Sequence, residues 1–474
     1  MNNVGAKAKH LQRMICVLVT AAAAYLIGCQ GLGVSPPGAG DPIGTATATN
    51  PQGIKAVNHI IIELQENRSF DTYFGMLGTY RAENGYGSAD DIDGLPAGAT
   101  NPADDGTIVP AFHFRTACIE NLTPDWLESH GDYNLDQPGS TMFFGNGFVH
   151  NAQGMATSNN FTDVKGLRAM GYYDGDDLPY YYFMASNFAT SDRWFSPMLG
   201  NSNPNHMYIV AATTHGHAHD PGSFDSNQVK TIFQLLDNAN VTWKIYYQEL
   251  DSSGKPETAL ARFEPYFSQH QANVVPVSEY LNDVQNGTLP QVAYIEDPIG
   301  FDEHPGGNQS GSTTTGNNVQ QGAQLMQTYI NELMGSSSWK DSVFIMTYDE
   351  GGGTYDHVSP QPAVSPDGIP PQDLEPKDVQ YIVPSADFTR TGFRVPLLVI
   401  SPFAKKSYVS HTVADYTAIL KFVETRFGLP SLTKRDKAQM NMMEFFNFDS
   451  PPWVNPPTPP LQPLNLPCDV TLLP

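Results

Sequence analysis

Five stretches of the chain are apolar with few interruptions and are too short for typical helices. They are "VNHIIIEL" (57–64), "VTWKIYY" (241–247), "QVAYIE" (291–296), "SVFIMTY" (342–348) and "VPLLVIS" (395–401). Near-continuous aliphatic and β-branched runs predict strands covered on both faces. Between them the period lengthens. Val319, Gly322, Met326, Tyr329, Ile330 and Leu333 fall on one helical stripe, and Val413, Tyr416, Leu420, Val423 and Phe427 on another. "KTIFQLLDNANVTWKIYY" reads as a helix, an Asn turn and a strand. This alternation predicts an α/β fold, a three-layer sandwich with a mostly parallel central sheet. In such folds the chemistry collects beyond the carboxyl ends of the strands.

Three of these strand ends deliver polar groups. Glu66 and Asn67 follow the first, in "QENRSFDTYFG" (65–75). Asn67 or Ser69 can also cap a short helix whose buried face is Phe70, Tyr73 and Phe74. Asp302, Glu303 and His304 follow the third, in a loop stiffened by prolines and glycines. Asp349 and Glu350 follow the fourth, then three glycines, then Asp356 and His357. Any one acidic pair is most simply a solvated loop. Three at the strand ends of one α/β chain predict a cation site, and their oxygen donors suit a hard or borderline divalent metal ion. Ser202 lies in a Gly-Asn-Ser-Asn-Pro-Asn turn before an apolar segment of helical character. A hydroxyl at a helix N-terminus faces backbone N–H groups that can hold a phosphate, though from the turn alone a run of turn-formers is the better reading. "HGHAHD" (215–220) has ligand-like spacing, but its histidines read better as a polar loop.

Composition narrows the partners. The 474 residues carry 25 basic and 49 acidic side chains, a net charge of −24. That excludes the basic face a nucleic-acid binder needs. Gly (41) and Pro (38) are frequent, so many loops decorate the scaffold. Residues 1–28 read as a signal peptide, with Lys7, Lys9 and Arg13 before the apolar run "MICVLVTAAAAYLIG". The run ends in "LIGC", which resembles a bacterial lipobox, so Cys29 is expected to be lipidated. The protein would then be exported and anchored by lipid to the cell envelope, and Gln30 would suit the outer membrane. Residues 29–55 read as a flexible tether, 56–448 as one catalytic domain, and 449–474 as an extended Pro-rich tail. Cys118 and Cys468, alone in the mature body, can pair and pin that tail.

"ENRSFDTYFG", "SNPNH" and "YDEGGGTYDHV" together, in this order, resemble the phosphoesterase family of non-specific phospholipases C and a bacterial acid phosphatase. "ESHGDYN" (128–134), "MGYYDGDDLPYYY" (170–182), "DEHP" (302–305) and "VISPFAKKSYVSHT" (399–412) resemble its intervening blocks. The likeness spans about residues 57–430. It implies an alkaline phosphatase-like fold and hydrolysis of phosphate esters. It further implies that Ser202 is the nucleophile, and that Glu66, Asn67, Asp349, Glu350 and Ser202 itself hold a divalent metal ion. His304, His357 and His130 would contact phosphate or move protons, and Asp356 would orient His357 or another partner. The substrate would be a phospholipid diester cleaved in the manner of a phospholipase C. Open beside it stand a phosphatase acting on monoesters and a non-catalytic surface lipoprotein on a degenerate scaffold. A glycosidase using paired carboxylates is disfavoured, because Asp349 and Glu350 are adjacent rather than facing each other across a substrate. One position departs from the family. Its motif reads Pro-Asn-Arg where this chain has Pro204-Asn205-His206. Arg offers a fixed guanidinium fork, whereas His is shorter and titrates.

Overall fold

The computed structural model describes residues 53–137, 140, 142–251, 253–296, 300–306, 318–380 and 387–474. The expected signal peptide, Cys29 and most of the expected tether lie outside them. All five predicted strands form and lie in one eight-stranded sheet. Its strands are β1 (His59–Gln65), β2 (Ala189–Ser191), β3 (Trp243–Tyr247), β4 (Val274–Pro276), β5 (Val292–Ile295), β6 (Ser342–Tyr348), β7 (Leu397–Ile400) and β8 (Tyr408–Ser410). Their order is β4-β3-β5-β1-β6-β7-β2-β8. β1 runs parallel to both β5 and β6, with Ile60 opposite Val292 and Val343. Every residue of β5, β6 and β7 is buried, which is why their sequences are uninterrupted apolar runs. β7 is antiparallel to β6 and to β2, so the sheet is mixed on one side of β6.

Six helices matter to the site and its support: α1 (Phe70–Phe74), α2 (Trp126–Tyr133), α3 (Ser202–Ala211), α4 (Ile232–Asn238), α5 (Val319–Gly335) and α6 (Thr417–Phe427). The expected stripe of α5 is buried throughout. That of α6 is shorter than expected, because Val413 precedes the helix and is exposed. Ser69 caps α1, its Oγ accepting from the Thr72 N–H at 3.2 Å, and Phe70, Tyr73 and Phe74 are buried as anticipated. All described residues belong to one compact unit. Cys118 and Cys468 form a disulfide. Among the described residues no helix is long and apolar enough to cross a membrane.

The register carries the strand ends to one place. Gln65 is the partner of Tyr348, so the next residues of the two strands, Glu66 and Asp349, emerge side by side. The Asp349 N–H donates to the Gln65 carbonyl at 2.9 Å. The Glu66 N–H donates to the Asp302 carbonyl at 2.9 Å, which ties the loop after β5 to the same edge.

Candidate active site

Ser202 is the first residue of α3, and its hydroxyl faces the strand ends. Ser202 Oγ lies 3.1 Å from Glu66 Oε2, 3.3 Å from Asn67 Oδ1 and 3.4 Å from Glu350 Oε1. The five residues expected to form the metal and nucleophile cluster are thus together. The Asn67 backbone is left-handed, with φ of 60°. That turn aims its N–H at Asp349 Oδ1, 2.8 Å away, and leaves its amide side chain toward Ser202. Asp349 Oδ1 also accepts from the Glu350 N–H at 2.7 Å. Its other oxygen, Oδ2, is fully buried and makes no aligned hydrogen bond. Gly352 brings its N–H to Glu350 Oε2 at 2.7 Å.

The electrostatics of this edge are unbalanced. Burial, then the charge of Glu66, pushes the Asp349 carboxyl well above the usual carboxylate range. Burial, then the charge of Asp349, does the same to Glu350. Carboxylates crowded in a buried place with an orphaned oxygen fit a bound cation, which would relieve both the desolvation and the mutual repulsion. Glu66, His206 and Asp349 offer ligand atoms that all lie within 4.8 Å of one another. A divalent ion is therefore compatible with the residues present, and Glu66, Asn67, Asp349, Glu350 and the Ser202 hydroxyl would hold it.

The four other candidates separate. His304 belongs to the cluster: its Nε2 lies 3.1 Å from Asn67 Nδ2 and its Nδ1 2.5 Å from the Pro305 carbonyl. Nδ1 is then the protonated nitrogen, and Nε2 accepts from the amide. Arg68 holds this loop, donating from Nε (3.0 Å) and Nη2 (2.6 Å) to the Glu303 carbonyl. His357 is engaged elsewhere. Its Nδ1 lies 2.7 Å from Asp71 Oδ2 and its Nε2 3.1 Å from Asp93 Oδ1. Asp356 pairs with the buried Arg394, which also grips Asp71 at 2.9 Å. Asp356 and His357 therefore brace α1 against the loop after β6: Asp356 orients another partner, Arg394, and the described hydrogen bonds of His357 lead to Asp71 and Asp93 rather than to Ser202. Both ring nitrogens of His357 are taken by carboxylates on that side. Burial lowers the His357 proton affinity, but the hydrogen bond and charge of Asp71 outweigh it and raise the net value. The described contacts of His130 also lie away from Ser202. His130 is buried in α2 against Trp126, with Nδ1 2.6 Å from the Trp126 carbonyl, and burial lowers its pKa to about 4.

A cavity of about 120 Å³ opens beside Ser202, lined by Glu66, His206, Gln248, Glu249, Glu257, Arg262 and Glu296 among others. Several of these were not anticipated. Glu296 ends the predicted strand "QVAYIE", so its strand-end position was the available signal. Arg262 carries none: it reaches Asn203 Oδ1 and Asp220 from a remote turn. Asp125, also unanticipated, accepts from Asn201 at 2.8 Å, and its charge contributes to the raised Glu350. The histidines of "HGHAHD" behave as a polar loop, with His217 on Asp373 and His219 on Asp378.

The model of the Phosphoesterase family matches residues 57–430. Phospholipase C B of Mycobacterium tuberculosis is 27% identical over 472 residues, covering 86% of this chain and 81% of that one. Non-specific phospholipase C5 of Arabidopsis thaliana is 28% identical over 426 residues, covering 80% and 72%. Among solved structures, a protein in the alkaline phosphatase superfamily from Vibrio parahaemolyticus aligns with a TM-score of 0.33 at 15% identity, covering 77% of this chain and 78% of that one.

Proposed function

The chain belongs to the phosphoesterase family and is a phosphoric ester hydrolase, and from that premise we propose that it cleaves phospholipid diesters in the manner of a phospholipase C, with Ser202 as nucleophile. The observation that carries the mechanism is the Ser202 hydroxyl at a helix N-terminus, 3.1–3.4 Å from Glu66, Asn67 and Glu350. The Ser202 Oγ–P bond forms while the bond from phosphorus to the leaving alcohol breaks. The carboxylates around Oγ accept its proton. The N-terminal N–H groups of α3 and the Asn67 amide stabilise charge on the phosphoryl oxygens. His304, once its Nε2 has taken up a proton and released the Asn67 amide, gives that proton to the leaving alcohol while Nδ1–H stays on the Pro305 carbonyl. Water then cleaves the phosphoseryl ester, and the same groups act in reverse. A divalent ion at the carboxylates would supply Lewis-acid charge neutralisation and a more acidic serine hydroxyl. The diester reading is supported by relatives that bear the name phospholipase C.

The deciding experiment runs phosphatidylcholine, bis-nitrophenyl phosphate and nitrophenyl phosphate in parallel. Diester cleavage is expected, and exclusive monoester cleavage overturns the phospholipase reading. Ser202→Ala is expected to lower kcat by at least about 10³-fold with an unchanged circular dichroism spectrum. Near-normal turnover of that variant removes Ser202 from its role.

Export and anchoring through a lipid on Cys29 are part of the same proposal. They are supported by the basic and apolar leader ending in "LIGC". They are also supported by the Cys118–Cys468 disulfide, since such bridges persist in oxidising compartments. Cys29→Ser is expected to abolish incorporation of labelled fatty acid and to move the protein from the membrane to the soluble fraction. Membrane retention of the variant without label would show a different anchor.

A further inference from the structure

We propose that His206 is itself a ligand of the cation at this site, so that the donor set is mixed nitrogen and oxygen and selects a borderline first-row divalent ion over calcium or magnesium. This rests on the phosphoesterase reading and goes beyond it, because a guanidinium at this position, as in the family motif, has no lone pair to give.

His206 stands one helical turn after Ser202 in α3, so both side chains face the same strand ends. Its Nε2 lies 2.9 Å from Glu66 Oε1 and 3.8 Å from Asp349 Oδ2. The residue is 9% exposed and Asp349 is 0% exposed. Neither Nε2 nor Asp349 Oδ2 makes an aligned hydrogen bond. Two buried polar atoms thus point into one small space without satisfying each other, an arrangement that costs free energy unless something else occupies it. The Nε2 to Glu66 separation has the length of a shared ligand edge. Two donors about 2.1 Å from one ion, at a right angle, sit roughly 3 Å apart. A hydrogen bond of that length would need the imidazole N–H to aim along it. Imidazole nitrogen favours zinc, iron and nickel over calcium and magnesium, whereas carboxylates and an amide alone would not.

The test uses the full mature chain, stripped with a chelator and reloaded. Electron spin-echo modulation of the manganese-loaded protein is expected to show nitrogen-14 coupling from a bound imidazole. His206→Gln and His206→Asn are each expected to lose it, while His304→Gln keeps it. Circular dichroism identifies which of the two His206 variants folds, and either one answers the question. Calorimetric titration is expected to show zinc binding weakened at least about tenfold in the folded variant. Calcium binding should change by less than a third of that factor. Coupling that survives in a folded His206 variant, or that vanishes only in His304→Gln, overturns the proposal. So does cation binding in the parent protein with no nitrogen coupling, or no cation binding at all. The phosphoesterase reading is judged separately, by turnover of the chromogenic diester and its loss in Ser202→Ala.

Discussion

His130 lies with its ring centroid 4.4 Å from that of Trp126 and its Nδ1 on a carbonyl of its own helix. Burial lowers its pKa to about 4, against an ordinary value of 6.5. Between those values the unfolded chain takes up a proton that the folded chain does not, so acid favours unfolding. Stability from this residue is intact above pH 6.5 and is lost as pH falls toward 4. Between pH 7 and pH 5 the loss is about 2 kcal/mol. His130→Phe is therefore expected to flatten the decline of the urea-unfolding free energy over that range relative to the parent, and to retain turnover. An unchanged slope, or a collapse of turnover with the fold intact, would show that the imidazole works at the site after all. The motif "ESHGDYN" could not reveal this. A histidine two residues from an acid looks alike in sequence whether it faces phosphate or an indole. Glu66, Asn67, Asp349 and Glu350 were legible because each follows a strand end, whereas Ser202 stood out from a run of turn-formers only through the order of the motifs around it. His357 was not legible. Its partners Asp71 and Asp93 precede it by 286 and 264 residues, and Arg394 lies in an unpatterned loop.

At the scale of elements, the site is a meeting of the ends of β1 and β6 with the start of α3. What lets the first two meet is Gly352, with φ of +63°. A Cβ there would stand 2.3 Å from the Asn67 carbonyl oxygen, which is backbone and cannot swing aside. Gly352→Ala should separate the turn after β6 from Asn67. The expected cost is roughly 2–4 kcal/mol from strain and displaced backbone. Cation affinity and turnover should fall together, because Asn67 and Glu350 shift relative to Ser202. A variant with parent-like chemical denaturation and parent-like titration would show that the turn tolerates a side chain. The strands themselves could be read from their apolar runs, but the direction of β7 could not. A strand buried on both faces is uniformly apolar whether its neighbour runs parallel or antiparallel. The hydrogen-bond ladder that distinguishes the two leaves no mark on side-chain pattern. The short strands β2, β4 and β8 escaped for a related reason, since three residues are too few to establish a period.

Across the whole molecule, the C-terminal tail acts as a strap tied to the backbone that supports the loop carrying His304. Residues 449–474 form no helix or strand, as their prolines require, yet they are held by specific bonds. The Trp339 indole donates to the Trp453 carbonyl at 2.9 Å, Gln462 donates to the Asp177 carbonyl at 2.8 Å, and the Ala117 N–H donates to the Pro467 carbonyl at 2.8 Å. The disulfide then fixes Cys468 to Cys118 across 350 residues of sequence. One residue beyond Cys118, the Ile119 carbonyl accepts from the Gly306 N–H at 3.0 Å, and Gly306 is two residues from His304. The bridge therefore restrains the backbone that supports the proton donor proposed for the leaving alcohol. Opening a loop of this length frees the unfolded chain, and Cys468→Ser is expected to lower stability by about 2–5 kcal/mol. The Ser202 cluster hangs on β1, β6 and α3, which the tail does not touch through these bonds. Substrate binding should then hold, and any loss of activity should fall on kcat through His304 rather than on KM. Parent protein treated with a thiol reductant should match the variant in both thermal midpoint and kcat. A variant with an unshifted midpoint would show that the tail's hydrogen bonds suffice without the bridge. A rise in KM at constant kcat would show that the strap supports the binding cleft instead of the His304 loop.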